Sequence, residues 1–247
     1  MKFAVLADIH GNSFALDAVL HDMDVLGVTE AVNLGDLFSG PIDAAGTADL
    51  LMERSFPSVR GNHDRYLLEQ ERADMGPTDQ VAFDQLSAEA LDWLGALPTS
   101  RTVFGDVFLC HGTPMSDTTY WLERVEADGT VRAASLEEVA AEAGDVDASL
   151  ILCGHTHTPR CVRLPDGRAI VNPGSVGCPA YDDDAPVYHV VQTGTPNASY
   201  AIVEREGREW AVTFRSVPYD FQRASACAVR YGRANWARAL ATGWFDK

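Results

Sequence analysis

The 247-residue sequence has no long hydrophobic run: nothing in it approaches the roughly 18 apolar residues that a membrane span requires. Its first stretch, MKFAVLADIHGN, is apolar only briefly before Asp8 and His10, and reads as a buried strand rather than a secretory leader. Lipidation motifs, internal repeats and low-complexity tracts are also missing. Cysteine is sparse: Cys110, Cys153, Cys161, Cys178 and Cys227 are odd in number and form no Cys-x-x-Cys. That pattern argues against disulfides and a structural zinc site and makes a reducing cytoplasm the expected compartment. Positive charge is in short supply, with 19 Lys and Arg against 36 Asp and Glu, a net charge of −17. Such a surface repels nucleic-acid backbones and anionic lipid, so polymeric DNA or RNA and membranes are disfavoured as partners. A small phosphorylated substrate is compatible with it if metal ions supply local positive charge. Self-association stays open.

What is present is an alternation of strand and helix. Residues 2–8 form an apolar run of strand length, and Ser13–Leu26 places Leu16, Val19, Leu20, Met23 and Leu26 on one helical stripe behind an N-cap at Asn12 or Ser13. Further strands are expected at 30–36, 58–60, 106–112, 149–155 and 168–174. Helices are expected near 42–54, 64–71 and 78–97, and after the capping box of Ser135 and Glu138. Residues 199–217 read as a hairpin turning at Glu206-Gly207, followed by a C-terminal helix from Phe221 to about Leu240 within a helical segment 219–247. The longest irregular stretch is 113–132, a lid or a surface excursion. The pattern predicts a layered α/β architecture without a domain boundary across 1–247.

Each early strand is apolar until its end, where a polar side chain follows. LADIH gives Asp8 and His10, NLGD gives Asp36, VRGNHD gives Asn62, His63 and Asp64, FLCHG gives His111, and LCGHTH gives His155 and His157. In open α/β sheets the carboxyl ends of the strands line the binding crevice. Asp8 and His10, and likewise His155 and His157, are two residues apart and would share one side of an extended chain. Each residue has an ordinary alternative: Asp8 as a strand end, Asp36 as a turn, Asn62 or Asp64 as a helix cap, His111 as a core histidine. Taken jointly the ordinary readings fail, because carboxylates and imidazoles crowded at one edge are costly unless paired or bound to metal. The remaining histidines, His21 and His189, fit no such position. Cys110, opposite in facing to His111, is expected to be core packing.

The ordered set DIH 8–10, GD 35–36, GNHD 61–64, HG 111–112 and GHTH 154–157 resembles the calcineurin-like metallophosphoesterase superfamily, over roughly residues 2–177. NPGSVG 172–177 resembles its small bacterial phosphodiesterase-like branch. The resemblance implies a four-layer α/β/β/α sandwich of two mixed sheets flanked by helices, with two metals at one end. It implies that Asp8, His10 and His157 hold one metal, that Asn62, His111 and His155 hold the other, and that Asp36 bridges them. His63 would be the catalytic imidazole, with Asp64 orienting it or capping a helix. The second motif, GDLFSGPID, lacks the Arg and the second Asp of the protein-phosphatase members, which weakens that reading.

The implied reaction is hydrolysis of a small phosphodiester by attack of a metal-bound hydroxide, with two cations about 3.5–4 Å apart. A phosphomonoesterase or dinucleoside-polyphosphate hydrolase is the alternative within the fold. A non-catalytic metal-binding scaffold for protein partners is the alternative outside it. The imidazole, carboxylate and amide donors suit Mn²⁺, the working choice, and also Fe, Zn, Co or Ni. For substrate binding the candidates are Arg60 before the GNHD turn, Thr113, Asp117, Tyr120 and Trp121 after His111, and Asn172 and Ser175 as a rim. Arg60 in a structural ion pair, and the rim as a plain Pro/Gly turn, are the competing readings.

Overall fold

The computed structural model describes residues 1–245. The chain begins with β1 (Lys2–Leu6), α1 (Ser13–Val25), β2 (Ala31–Asn33), α2 (Ala44–Met52), α3 (Asn62–Glu69), α4 (Pro77–Gln85) and α5 (Ala88–Gly95). Its middle supplies β3 (Arg101–Val103), β4 (Val107–Leu109), β5 (Glu123–Val125), β6 (Val131–Ala133), α6 (Leu136–Ala143), β7 (Leu150–Leu152), β8 (Arg160–Arg163) and β9 (Ala169–Asn172). It ends in β10 (Ala180–Asp183), β11 (His189–Gln192), β12 (Ala198–Glu206), β13 (Glu209–Val217), α7 (Phe221–Arg230) and α8 (Ala234–Thr242).

Two main sheets carry the fold. One has the order β13-β12-β1-β2, and the other β3-β4-β7-β9-β8. Both are mixed: β1 runs parallel to β2 and antiparallel to β12, while β4, β7 and β9 are mutually parallel with antiparallel β3 and β8 at the edges. The alternation of strand side chains builds the layers. Phe3 and Val5 of β1 pack between the sheets with Val107, Leu109, Leu150, Leu152, Ala201 and Val203. Ala4 and Leu6 point the other way, onto a helical layer that includes Leu16, Val19, Leu67 and Leu94. On the far side Ile151, Cys153 and Ile170 pack against Val139 and Ala143 of α6. The result is helix, sheet, sheet, helix. Burial on both faces is why β1 and β7 read as unbroken apolar runs. Each fully buried Phe or Leu contributes about 1.5–3 kcal/mol of transfer free energy.

Several elements differ from the sequence expectation. The helix expected over 78–97 is two helices, because Ser87 accepts a hydrogen bond from the Ala90 amide and caps a fresh start. The C-terminal helix is also two, interrupted where Gly232 takes a φ of 71°. The last two residues of the expected segment, 246–247, lie outside the described residues. Residues 58–60 form a single bridge from Ser58 to Asn33 rather than a strand. The stretch 113–132 is more ordered than expected: β5 pairs with β6, and Trp121 and Leu122 are core. A further hairpin, β10–β11, pairs Ala180–Asp183 with His189–Gln192. As expected, Asn12 caps α1 and Ser135 and Glu138 form a capping box.

Candidate metal centre

The loops that follow β1, β2, β4 and β7 meet at one end of the paired sheets, and the α3 N-terminus joins them. They do not meet as extended chain. Asp8, His10, Asp36, His155 and His157 have φ of 54°, 50°, 54°, 69° and 55°, all left-handed, and Phe104 is the one other non-glycine residue with positive φ among the described residues. A left-handed non-glycine residue is strained, and a cluster of five marks a site whose geometry the surrounding packing enforces. This corrects the expectation that Asp8 and His10, or His155 and His157, share a side through strand alternation. They are aimed by tight turns. Hydrogen bonds hold those turns: the His10 amide donates to Asp36 O at 2.9 Å, and the His155 amide to Asp8 Oδ1 at 3.1 Å. Gly61 is obligatory, since a Cβ there would collide with Asp36 and crowd His111.

The donor atoms fall into two groups, each within 4.8 Å: Asp8, His10 and His157, and Asp36, His111 and His155. Asn62 Oδ1 lies 3.1 Å from His111 Nε2 and so belongs with the second. Asp36 Oδ2 reaches toward both, 3.2 Å from His111 Nε2 and 3.8 Å from His10 Nε2. The ring orientations fit a cation. His10, His111 and His157 each donate Nδ1–H to a carbonyl, of Ser39, Leu34 and Cys178, all at 2.8 Å. That fixes the tautomer and leaves Nε2 as the inward atom. Nε2 of His10 and Nε2 of His157 then stand 3.2 Å apart, lone pair to lone pair, unless a cation or proton intervenes.

The electrostatics say the same. Burial opposes charge on His111 and His157. Asp36 nevertheless pushes His111 up to about 9, and Asp8 raises His157. Burial holds His10 and His155 down to about 4, aided by His157 and His111 respectively. Against the burial that would raise them, the imidazoles keep Asp8 and Asp36 below the usual carboxylate range. In each group one imidazole is thus pushed toward its charged form beside the carboxylate, and a metal cation would supply the same charge.

His63 sits beside this cluster, its ring 5.5 Å from that of His10 and facing a cavity of about 330 Å³. Its amide donates to Asp36 Oδ1 at 3.0 Å. Its side-chain partner is Asp79 on α4, with Nδ1 and Oδ1 2.9 Å apart, and Ser39 Oγ donates to the same carboxylate. Burial works against a charge on His63, but Asp36 and Asp79 push it up to about 9. Asp64 does not touch it. Asp64 accepts from the amides of Asp36, Leu37 and Gly61 at 2.8, 2.9 and 2.9 Å, so its contacts are those of a loop and helix cap, not of an orienter of His63. Burial and the charge of Asp36 push Asp64 up to about 7.

The model of the Calcineurin-like phosphoesterase superfamily domain matches residues 1–196. The chain belongs to that superfamily. The superfamily is metal-dependent and hydrolase is the class it implies; two candidate metal-binding groups are present to serve it. The chain is 26% identical to an uncharacterized protein of Methanocaldococcus jannaschii, covering 94% of each. In structure it is similar to a metallophosphoesterase from Sphaerobacter thermophilus, with TM-score 0.77, 26% identity and 99% of each chain covered. A hypothetical protein from Pyrococcus horikoshii shares the fold at TM-score 0.74 and 20% identity, again over 99% of each. Among the described residues no helix is long and apolar enough to cross a membrane.

Most of the residues expected to bind substrate are elsewhere employed in this member of the superfamily. Trp121 is core, 1% exposed, with Nε1 donating to Val139 O. Asn172 and Ser175 are buried braces. Asn172 Nδ2 donates to Gly154 O at 2.7 Å and Thr156 Oγ1 at 3.0 Å, steadying the His155–His157 loop, and Ser175 Oγ donates to Asp8 O at 2.6 Å. Asp117 pairs with Arg65 through two hydrogen bonds. Thr113 is buried in its own turn, and Arg60 lines neither cavity beside the metal cluster. Tyr120 does line one, with its ring 5.1 Å from that of His155 and its hydroxyl 2.6 Å from Tyr181 and 2.9 Å from His189. Cys110 is core, as expected, and its burial pushes the thiol above its usual range. Asp79, Ser39 and Glu123, which accepts from Thr156 Oγ1 at 2.6 Å, were missed. Asp79 stands in the first turn of α4, where an acidic residue is ordinary, so nothing local set it apart.

Proposed function

We propose that the chain is a binuclear metal-dependent phosphodiesterase acting on a small phosphodiester. The observation that carries the binuclear reading is Asp36, whose carboxylate lies between the two donor groups. Asp8, His10 and His157 would hold one cation and Asn62, His111 and His155 the other. Mn²⁺ is the working choice among the metals that suit such donors. Bound there, the pair would activate water and neutralise charge at phosphorus. The protein's own part is positional. His63 lines the cavity and its Nδ1 is engaged by Asp79, which leaves Nε2 as the nitrogen to give a proton to a departing alkoxide. Asp79 and Ser39 are positioning residues that keep that ring charged and fixed.

The shape of the cleft favours a diester. Beside the 330 Å³ cavity lies a second of about 500 Å³, and Asn62, Tyr66, His155 and Asp183 line both. A phosphoryl group at their junction would have one lobe for each substituent, whereas a monoester needs one. Tyr66 and Tyr120 give the second lobe aromatic walls. Metal-stripped protein resupplied with Mn²⁺ is expected to hydrolyse bis-p-nitrophenyl phosphate faster than p-nitrophenyl phosphate. Faster turnover of the monoester would overturn the diesterase reading. Full metal occupancy with no hydrolysis of either would favour a non-catalytic scaffold.

A further inference from the structure

The segment beyond the family match reaches the metal cluster. Residues 197–245 contribute β12 and β13 to the first sheet and then the α7–α8 pair, whose α8 packs on β10 at the mouth of the cleft. There Arg233, Asn235 and Trp236 line the same cavity as His10, His63 and His157. Trp236 places its ring 5.9 Å from the His10 ring, nearly edge-on at 70°.

Arg233 is the one Arg or Lys among the described residues lining that cavity, whose wall also carries Asp36, Asp182 and Asp183. Its Nε is buried and has no hydrogen-bond partner. Burial holds the Asp182 carboxyl above the usual carboxylate range, and the nearby Arg233 guanidinium opposes that shift without reversing it; among the described residues Arg233 forms no ion pair. An N–H buried without an acceptor is costly, and native structures supply one from protein, water or ligand. Arg60 Nε is also unpartnered, but Arg60 does not line the cavity, so the same argument does not carry to it.

We propose that Arg233 is a substrate-binding residue that donates its guanidinium N–H groups to a phosphoryl oxygen, making α8 the anion-gripping wall of the cleft. Asn235 adds an amide beside it, and Trp236 closes the wall with an apolar face. The inference rests on the phosphoesterase reading for its ligand. It also answers the charge problem: a chain of net charge −17 must draw an anion past a carboxylate-lined wall, and a fork of N–H donors suits phosphate.

The test uses the full chain loaded with Mn²⁺ and two readouts. One is KM and kcat for bis-p-nitrophenyl phosphate. The other is the dissociation constant of inorganic phosphate, read from quenching of Trp236 fluorescence with W236F as the blank. R233A is expected to raise KM and the phosphate dissociation constant together, by roughly 10- to 100-fold, with kcat changed less than about three-fold. R233K, which keeps the charge without the fork, is expected to fall between, and it stands in if R233A melts below the assay temperature. Hydrolysis by the wild type with both constants unmoved in R233A and R233K would overturn the inference and leave the phosphoesterase reading intact. Arg233-dependent phosphate binding in a protein that hydrolyses nothing would do the reverse.

Discussion

Asp79→Asn isolates what a buried carboxylate does for the imidazole at the mouth of the site. The substitution keeps the shape and removes the charge. Asp79 is 4% exposed and its Oδ1 is 2.9 Å from His63 Nδ1, so solvent screens the interaction little. A hydrogen bond to a charged group contributes about 1.5–3 kcal/mol. At about 1.36 kcal/mol per pKa unit, losing it lowers His63 from about 9 by about 1–2 units, with Asp36 still in place. If His63 Nε2 is the proton donor, the alkaline limb of the kcat profile moves to lower pH by the same amount. For an alkyl leaving group, the protonated fraction of His63 and with it kcat near pH 8 then falls about 2- to 10-fold, while for p-nitrophenolate, which departs unprotonated, it barely changes. The assay is kcat against pH for both leaving groups in wild type, D79N, H63A and the double variant. In the H63A background D79N is expected to add nothing. An unmoved alkaline limb, or an equal loss in H63A, would show that Asp79 does not act through His63.

Elemental analysis after reconstitution should find two Mn²⁺ per chain, with chelation abolishing hydrolysis. D36N, whose carboxylate approaches both donor groups, is expected to lower occupancy of both, and H155A of one; equal stoichiometry in D36N would remove Asp36 as the bridge. N172A strips two hydrogen bonds from the His155–His157 loop and should cost about 1–3 kcal/mol in urea denaturation, with metal affinity down about 10- to 100-fold. Asp22 accepts from Arg215 at 2.7 and 3.0 Å and from Tyr200 at 2.6 Å, and these bonds hold its carboxyl below the usual range. A depressed folded pKa contributes stability present above the unfolded value near 3.9 and lost as pH falls through the folded one. R215Q should therefore lose less than about 1 kcal/mol at pH 7, after solvent screening, and the gap from wild type should close toward pH 3 in thermal melts. A gap independent of pH would exclude the ion pair as its source.

The candidate metal donors were legible because each belongs to a short local signature, and Asp8, His10, Asp36, His111, His155 and His157 also follow an apolar strand; Asn62 instead opens α3, and all seven converge. The route to convergence was not legible: left-handed turns at five of them replace the extended chain that spacing suggested. The lining of the cleft was legible only in part, for a related reason. Proximity in sequence to His111 drew attention to Trp121 and Asp117, whose side chains turn into the core and onto Arg65.

What the sequence by itself determined is the list of candidate ligands, the alternation that builds two sheets, and the capped starts of α1 and α6. Each of these is a local property, since apolar periodicity and capping act within a few residues. Only the tertiary structure decided that Asp79, from α4, holds His63, and that Arg233, far along the chain, faces the same cavity as His10. Those pairings arise where separate helices pack against the sheets, and no pattern within a single segment encodes which element lands beside which.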